Sequence, residues 1–212
     1  MSSKRPPLTS HLLPLTGHRI SRPPALATIA FLLGCGAARP ITTTGALAPT
    51  TGDPTRTYPL GQVFLLGIDS LPPPDTTVRV KRGTPRVIVI RHPAPDDLTF
   101  GELALPRQAF DSTGPDSVSV DIHIRRGVYG LDLTTSAPLR AATLTFKYAV
   151  HFAAPAEART TFGSDLAFER RLAIGKLGPG ETIVFQRSTR PATDNLAATL
   201  TAAGSYVVGA PK

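Results

Sequence analysis

The chain has 212 residues, 41% hydrophobic and 18% charged, which is enough apolar content for a real core and argues against wholesale disorder. Its 22 Pro and 18 Gly favour turns over long helices, and a single Cys excludes an intrachain disulfide framework and any multi-cysteine metal site. The formal charge of +8 points toward nucleic acid or anionic lipid, but Lys4, Arg5, Arg19 and Arg22 carry part of it, and only +4 remains beyond residue 34.

Met1 to Arg22 is basic and free of acidic residues, and from Ala25 the chain reads ALATIAFLLGC. That apolar run is too short to span a bilayer, which needs ~20 apolar residues. A positive region, a short apolar core and small residues at its end form a secretory signal. Leu32-Leu33-Gly34-Cys35 resembles a lipobox, the processing motif of bacterial lipoproteins. In that family the peptidase cleaves before the cysteine and the thiol carries lipid. The resemblance implies that residues 1–34 are a signal peptide, that the chain is cut between Gly34 and Cys35, and that Cys35 is the lipid attachment site. The residue types suit the chemistry: glycine lets a protease approach the bond, and a thiol accepts a diacylglycerol. One acyl chain alone binds a membrane marginally, so multiple acylation is what makes such an anchor stable. An ordinary signal peptide with a chance cysteine is the plainer alternative. Gly36 stands where an acidic residue would, in some bacteria, retain a lipoprotein at the inner membrane, so the expected address is the outer membrane.

Residues 35–59 are rich in Thr, Pro, Ala and Gly and lack apolar periodicity. They cannot bury enough surface to offset their ordering entropy, and the expectation is a flexible tether.

Residues 60–212 read as one domain. Val118, Val120, Ile122 and Ile124 alternate with Ser119, Asp121, His123 and Arg125, and Leu144, Phe146, Tyr148 and Val150 alternate with polar or small residues. Such alternation marks half-buried strands. Further strands are expected at Val63–Ile68, Thr77–Lys81, Arg86–Arg91, Thr99–Leu105, Val128–Leu133, Leu166–Ile174, Thr182–Arg187, Leu196–Thr201 and Ser205–Val208. Turn formers separate them, as at Arg82-Gly83-Thr84-Pro85, Gly114-Pro115-Asp116 and Gly178-Pro179-Gly180. The best helix candidate, Pro155–Arg159, is too short to matter, so the pattern predicts an all-β fold, a β-sandwich of antiparallel strands.

FGELALPRQAF, SVSVDIHI, VYGLDL and RAATLTFKY, taken in order, resemble a ZU-type domain, a family found in netrin receptors, ankyrins and bacterial surface proteins. The segment from Leu166 onward resembles the hairpins that follow such domains in bacterial chains, so the likeness covers about residues 98–212. It implies a β-sandwich with a scaffold or binding role. Some relatives cleave themselves at a His-Phe-Ser triplet. The matching place here is Ala203-Gly204-Ser205, which keeps the serine but lacks the histidine, while His151-Phe152-Ala153 lacks the nucleophile. Autoproteolysis is therefore not expected.

No Gly-x-Ser-x-Gly elbow, His-Glu-x-x-His, P-loop or strand-linked Gly-x-Gly-x-x-Gly is present, so no enzyme and no cofactor is expected. His92, Asp96 and Asp97 form the most suggestive local cluster, with His151 as a further ligand. The competing account is a solvated, proline-rich strand connection. His123 reads as a cross-strand polar partner. Lys81-Arg82, Arg125-Arg126 and Arg170-Arg171 are basic pairs, but Phe146, Tyr148, Phe168 and Phe185 read as core rather than exposed stacking platforms, so nucleic acid is not an expected partner. The leading expectation is a non-enzymatic envelope lipoprotein, moored through lipid on Cys35 and meeting a protein or glycan partner. The alternatives are a periplasmic enzyme or metal-binding domain around His92, Asp96 and Asp97, and a structural subunit of an envelope assembly.

Overall fold

The computed structural model describes residues 56–148 and 152–212. The expected signal peptide, Gly34, Cys35 and most of the expected tether lie outside the described residues, as do Val150 and His151.

The elements follow in chain order: β1 (Thr57–Pro59), a 3-10 turn (Leu60–Gln62), β2 (Val63–Leu65), β3 (Gly67–Ile68), β4 (Thr76–Lys81), β5 (Arg86–Arg91), β6 (Thr99–Leu105), β7 (Ser117–Ile124), β8 (Gly130–Thr135) and β9 (Ala142–Lys147). Then come β10 (Phe152–Ala153), α1 (Ala156–Phe162), α2 (Asp165–Glu169), β11 (Ala173–Gly178), β12 (Thr182–Phe185), β13 (Ser188–Thr189), β14 (Asn195–Leu200) and β15 (Gly204–Pro211). The larger sheet runs β1-β12-β11-β15-β8-β7-β4, with β2 also on β15, and the smaller runs β13-β14-β9-β6-β5. A short β10-β3 pair stands apart. The described strand pairs are antiparallel.

The all-β, sandwich-like architecture follows from the period-two pattern. Val118, Val120 and Ile122 of β7, Leu131 and Leu133 of β8, and Tyr206 and Val208 of β15 share one core with Leu103 and Leu105 of β6, Leu144 and Phe146 of β9, and Leu196 and Leu200 of β14. Period two puts these residues on one face of each strand, and burying both faces against one another removes them from water. Phe100 joins this core by another route. Ile90 pairs with Gly101 and Arg91 with Thr99, so Phe100 is the unpaired residue of a β-bulge. Gly101 beside it has no room for a side chain, since a Cβ there would lie 2.9 Å from the Thr145 carbonyl oxygen.

A second apolar cluster lies on the other face of the larger sheet. It contains Val63, Ala173, Ile183, Phe185 and Val207, the last flanked in sequence by Tyr206 and Val208 of the main core. β1 lies on β12 and β2 on β15, and the Leu60–Gln62 turn joins them covalently, so β1, β12, β11, β15 and β2 form a closed ring around this cluster.

Three expectations need correction. Thr57–Pro59, assigned to the tether, is an edge strand: it pairs with β12, and Tyr58 meets Phe185 edge-to-face at 5.6 Å. Leu166–Ile174 is not one strand. Ser164 caps α2 by accepting the Ala167 N–H at 3.1 Å, and Phe168 turns into the core while Leu166 stays 55% exposed. α1 is also longer than expected, running to Phe162 and ending at Gly163, whose φ of 81° suits a residue without a side chain.

Candidate functional site

Consecutive strands reverse direction, so alternate connections meet at the same end of a sandwich. The β4–β5 turn, the β6–β7 loop and the approach to β9 meet in this way and enclose a cleft of about 630 Å³. Its charged lining is Lys81, Arg82, Arg107, Asp111, Asp116 and Arg140. Two backbone links brace the mouth: the Arg82 N–H donates to the Asp116 carbonyl at 2.8 Å, and the Arg140 N–H to the Ala109 carbonyl at 2.8 Å.

The cations fall into two groups. Arg140 grips the Asp111 carboxylate with two N–H groups, Nε to Oδ1 and Nη2 to Oδ2, the second at 2.7 Å. That grip holds the Asp111 carboxyl below its usual range. Arg82 donates from Nε to the Pro115 carbonyl at 2.9 Å and from Nη1 to the Asp111 carbonyl. Lys81 and Arg107 are exposed and have no ion-pair partner among the described residues. The cleft thus combines two positioned guanidiniums with two unengaged cations.

The alternative site around His92, Asp96 and Asp97 is not assembled among the described residues. His92 is buried, 4% exposed, with its ring edge-to-face on Phe100 at 5.6 Å. Its Nδ1 lies 3.3 Å from the Leu71 carbonyl and 3.5 Å from Ser70 Oγ. The solvated-loop account of His92 is corrected accordingly: the ring is a core side chain that covers the end of the Phe100 cluster. Asp96 and Asp97 are exposed, and Asp97 has a left-handed φ of 44° that aspartate tolerates in turns. The His92 N–H donates to the Leu98 carbonyl at 2.8 Å and Arg91 Nη1 to the Asp97 carbonyl at 2.9 Å, which closes the loop. Among the described residues no group of three His, Cys, Asp or Glu is placed to share a metal ion.

His123 has the expected cross-strand role. Its Nδ1 is 2.9 Å from the carboxylate of Asp75, which also accepts the Ile124 N–H at 3.0 Å. The Asp75 hydrogen bond, then its charge, raises the His123 pKa, while the bond to His123 is the first cause of the lowered Asp75 value. The signs define the pH window. The His123 contribution is fully present below its ordinary value of about 6.5 and is lost as pH climbs through the raised folded value. The Asp75 contribution is present above about 3.9 and is lost as pH falls through the lowered folded value. A proton NMR titration is expected to put the His123 midpoint above about 6.5, with Asp75→Asn bringing it back. A wild-type midpoint at or below the ordinary value would contradict the pairing.

One further polar cluster was not visible in the sequence. The Arg190 side chain is 8% exposed and donates to Tyr148 Oη and to the Glu169 carbonyl. Tyr148 Oη donates to Glu169 Oε1 at 3.0 Å. Residues from the segment after β9, from α2 and from the segment after β13 are drawn together by this network, and no local pattern announces it.

Of the basic pairs read from sequence, Lys81-Arg82 belongs to the cleft, whereas Arg125 is engaged with Asp132 at 2.8 Å. Phe146, Tyr148, Phe168 and Phe185 are all buried, as expected. No described helix is long and apolar enough to cross a membrane. Compared with known proteins, the chain matches no family model, no curated protein and no solved structure.

Proposed function

We propose that this chain is a lipid-anchored cell-envelope protein whose β-sandwich serves as a binding or scaffold module rather than as an enzyme. The observation that carries the module half of the reading is the cleft of about 630 Å³, in which paired guanidiniums and free cations converge from three separate connections. Sites of ~300–1,000 Å³ are of the size that holds small ligands or a partner's side chains. The anchoring half rests on the apolar run that ends at Gly34-Cys35 behind a basic leader. The ZU-like strand pattern supports the same role. In this reading residues 35–55 act as the tether, and the cleft is offered to a partner near an outer-membrane surface.

Labelling with radioactive palmitate tests the anchor. The wild type is expected to incorporate label and to fractionate with membranes, while Cys35→Ala is expected to lose the label. Equal labelling of the two, or recovery of the chain from cytosol with Met1 in place, would refute it.

A further inference from the structure

In the cleft four cationic side chains, Lys81, Arg82, Arg107 and Arg140, face two carboxylates, Asp111 and Asp116. Bracing the loops accounts for only two of these cations. Here the bracing is done by Arg82 and Arg140, and the excess of two positive charges corresponds in number to the unengaged Lys81 and Arg107.

The braced pair still has donors to offer. A guanidinium carries five N–H groups, and Arg82 spends two on the Pro115 and Asp111 carbonyls, while Arg140 spends two on the Asp111 carboxylate. Their side-chain freedom is already restricted by these bonds, so a ligand contacting them has less ordering entropy to overcome. Arginine forks suit tetrahedral phosphate oxygens as well as carboxylates. Charge distinguishes the two. A phosphomonoester carries about −1.5 to −2 near neutral pH and offsets the local excess, whereas a single carboxylate offsets half of it. A volume of about 630 Å³ exceeds what a bare phosphate occupies and leaves room for a body of sugar size. The exposed carboxylate of Asp116 is an acceptor suited to hydroxyl groups on that body.

We infer that the cleft binds a phosphomonoester carried on a hydroxylated body about the size of a sugar, with Lys81 and Arg107 closing on the phosphate from the two walls and Arg82 and Arg140 donating from a prepared base. The ligand class deepens the binding-module reading and rests on it, but it is independent of lipid attachment. Failed palmitate labelling would leave the cleft's ligand standing, and failed phosphate binding would leave the anchor standing.

Calorimetry on the purified full chain tests this, with glucose 6-phosphate, glucose and glucuronate as probes. Glucose 6-phosphate is expected to bind, glucuronate at least about tenfold more weakly, and glucose not detectably. Lys81→Glu with Arg107→Glu is expected to abolish binding without lowering the melting temperature, because neither side chain has an ion-pair partner to lose. Should the double reversal misfold, Lys81→Gln with Arg107→Gln is expected to weaken binding at least about tenfold. Equal affinity for glucose 6-phosphate and glucuronate, no binding of glucose 6-phosphate, or unchanged affinity in a folded double variant would overturn the assignment. Two sources share this chemistry, a soluble sugar phosphate and a phosphorylated lipid headgroup. Mixed phosphatidylcholine–phosphatidate vesicles, against pure phosphatidylcholine, separate them. Retention on the mixed vesicles that glucose 6-phosphate displaces assigns the site to headgroups, and binding of glucose 6-phosphate alone assigns it to a soluble ligand.

Discussion

Phe100→Ala is expected to lower the stability of the sandwich by about 4 kcal/mol, a large share of the 5–15 kcal/mol typical of a domain. Phe100 is fully buried and stands at a junction of rings: stacked on Tyr129 at 5.2 Å, edge-to-face with Phe146 at 5.5 Å, and covered by His92. Truncation removes the transfer free energy of the ring and leaves a void that neighbours in both sheets cannot fill without moving the strands. It also takes away the surface on which His92 lies. Urea denaturation monitored by near-ultraviolet circular dichroism measures the loss. A cost below about 1 kcal/mol would mean that the ring is not in the core. Tyr129→Phe in the same cluster is expected to act in the opposite direction. The Tyr129 hydroxyl is buried with no hydrogen-bond partner among the described residues, so removing it should raise stability by about 1 kcal/mol. Burial pushes the ionisation of this phenol far up, so the group that would be removed is a neutral one.

Arg190→Ala is expected to cost about 3 kcal/mol and to lower the melting temperature by on the order of 10 °C. The guanidinium is almost fully enclosed and donates to Tyr148 Oη and the Glu169 carbonyl, with the Glu169 carboxylate 4.0 Å away. Taking it out leaves the Glu169 carbonyl and the Tyr148 oxygen short of a donor, and the Glu169 carboxylate short of its counter-charge, in a partly dry site. Glu169 is 24% exposed, so water can reach its carboxylate and the cost falls at the lower end of the range for a broken buried ion pair. Arg190→Lys is expected to recover little, because an ammonium on one stem cannot reach two acceptors in the fork geometry. The two helices should feel the loss first. Hydrogen exchange of amides in α1 and α2 is expected to accelerate more than exchange in β7 or β9. Uniform acceleration throughout the domain would show that the network does not specifically secure the helices.

The two variants act on different supports of the same fold. Phe100 belongs to the contact between the sheets, and Arg190 to the fastening of α2. Neither touches Lys81 or Arg107, so changes at the cleft mouth can be read as ligand effects without a large stability correction.

Much of the architecture was legible because a half-buried strand must alternate. β5 and β6 have the bounds expected from Arg86–Arg91 and Thr99–Leu105, and the alternating residues of β7 and β9 face the core. Turn chemistry is equally local: Gly180 and Glu181 take positive φ between β11 and β12, where Gly178-Pro179-Gly180 predicts a turn. Where the reading failed, two periods competed. Leu166, Phe168, Leu172 and Ile174 alternate often enough to suggest a strand, but Phe168 and Leu172 are also four apart, and the Ser164 cap decides for a helical turn before β11 begins. Thr57–Pro59 is too polar to predict its own pairing and is held by Phe185, a residue more than a hundred positions away.

The cleft could be anticipated only in part. Lys81-Arg82 stood out as a pair, yet Arg107, Asp111 and Arg140 mean nothing until the parity of the connections is known, since only then do the β4–β5, β6–β7 and β8–β9 links fall at one end. Conversely, His92 and Asp97 looked associated because they are close in the chain, but one turns inward onto Phe100 and the other outward to Arg91. Period and turn chemistry are properties of neighbouring residues, so they sufficed for an all-β sandwich and for most of its strands. The cleft, the Arg190 network and the burial of His92 depend on which distant segments meet, and only the packing of one sheet against the other decides that.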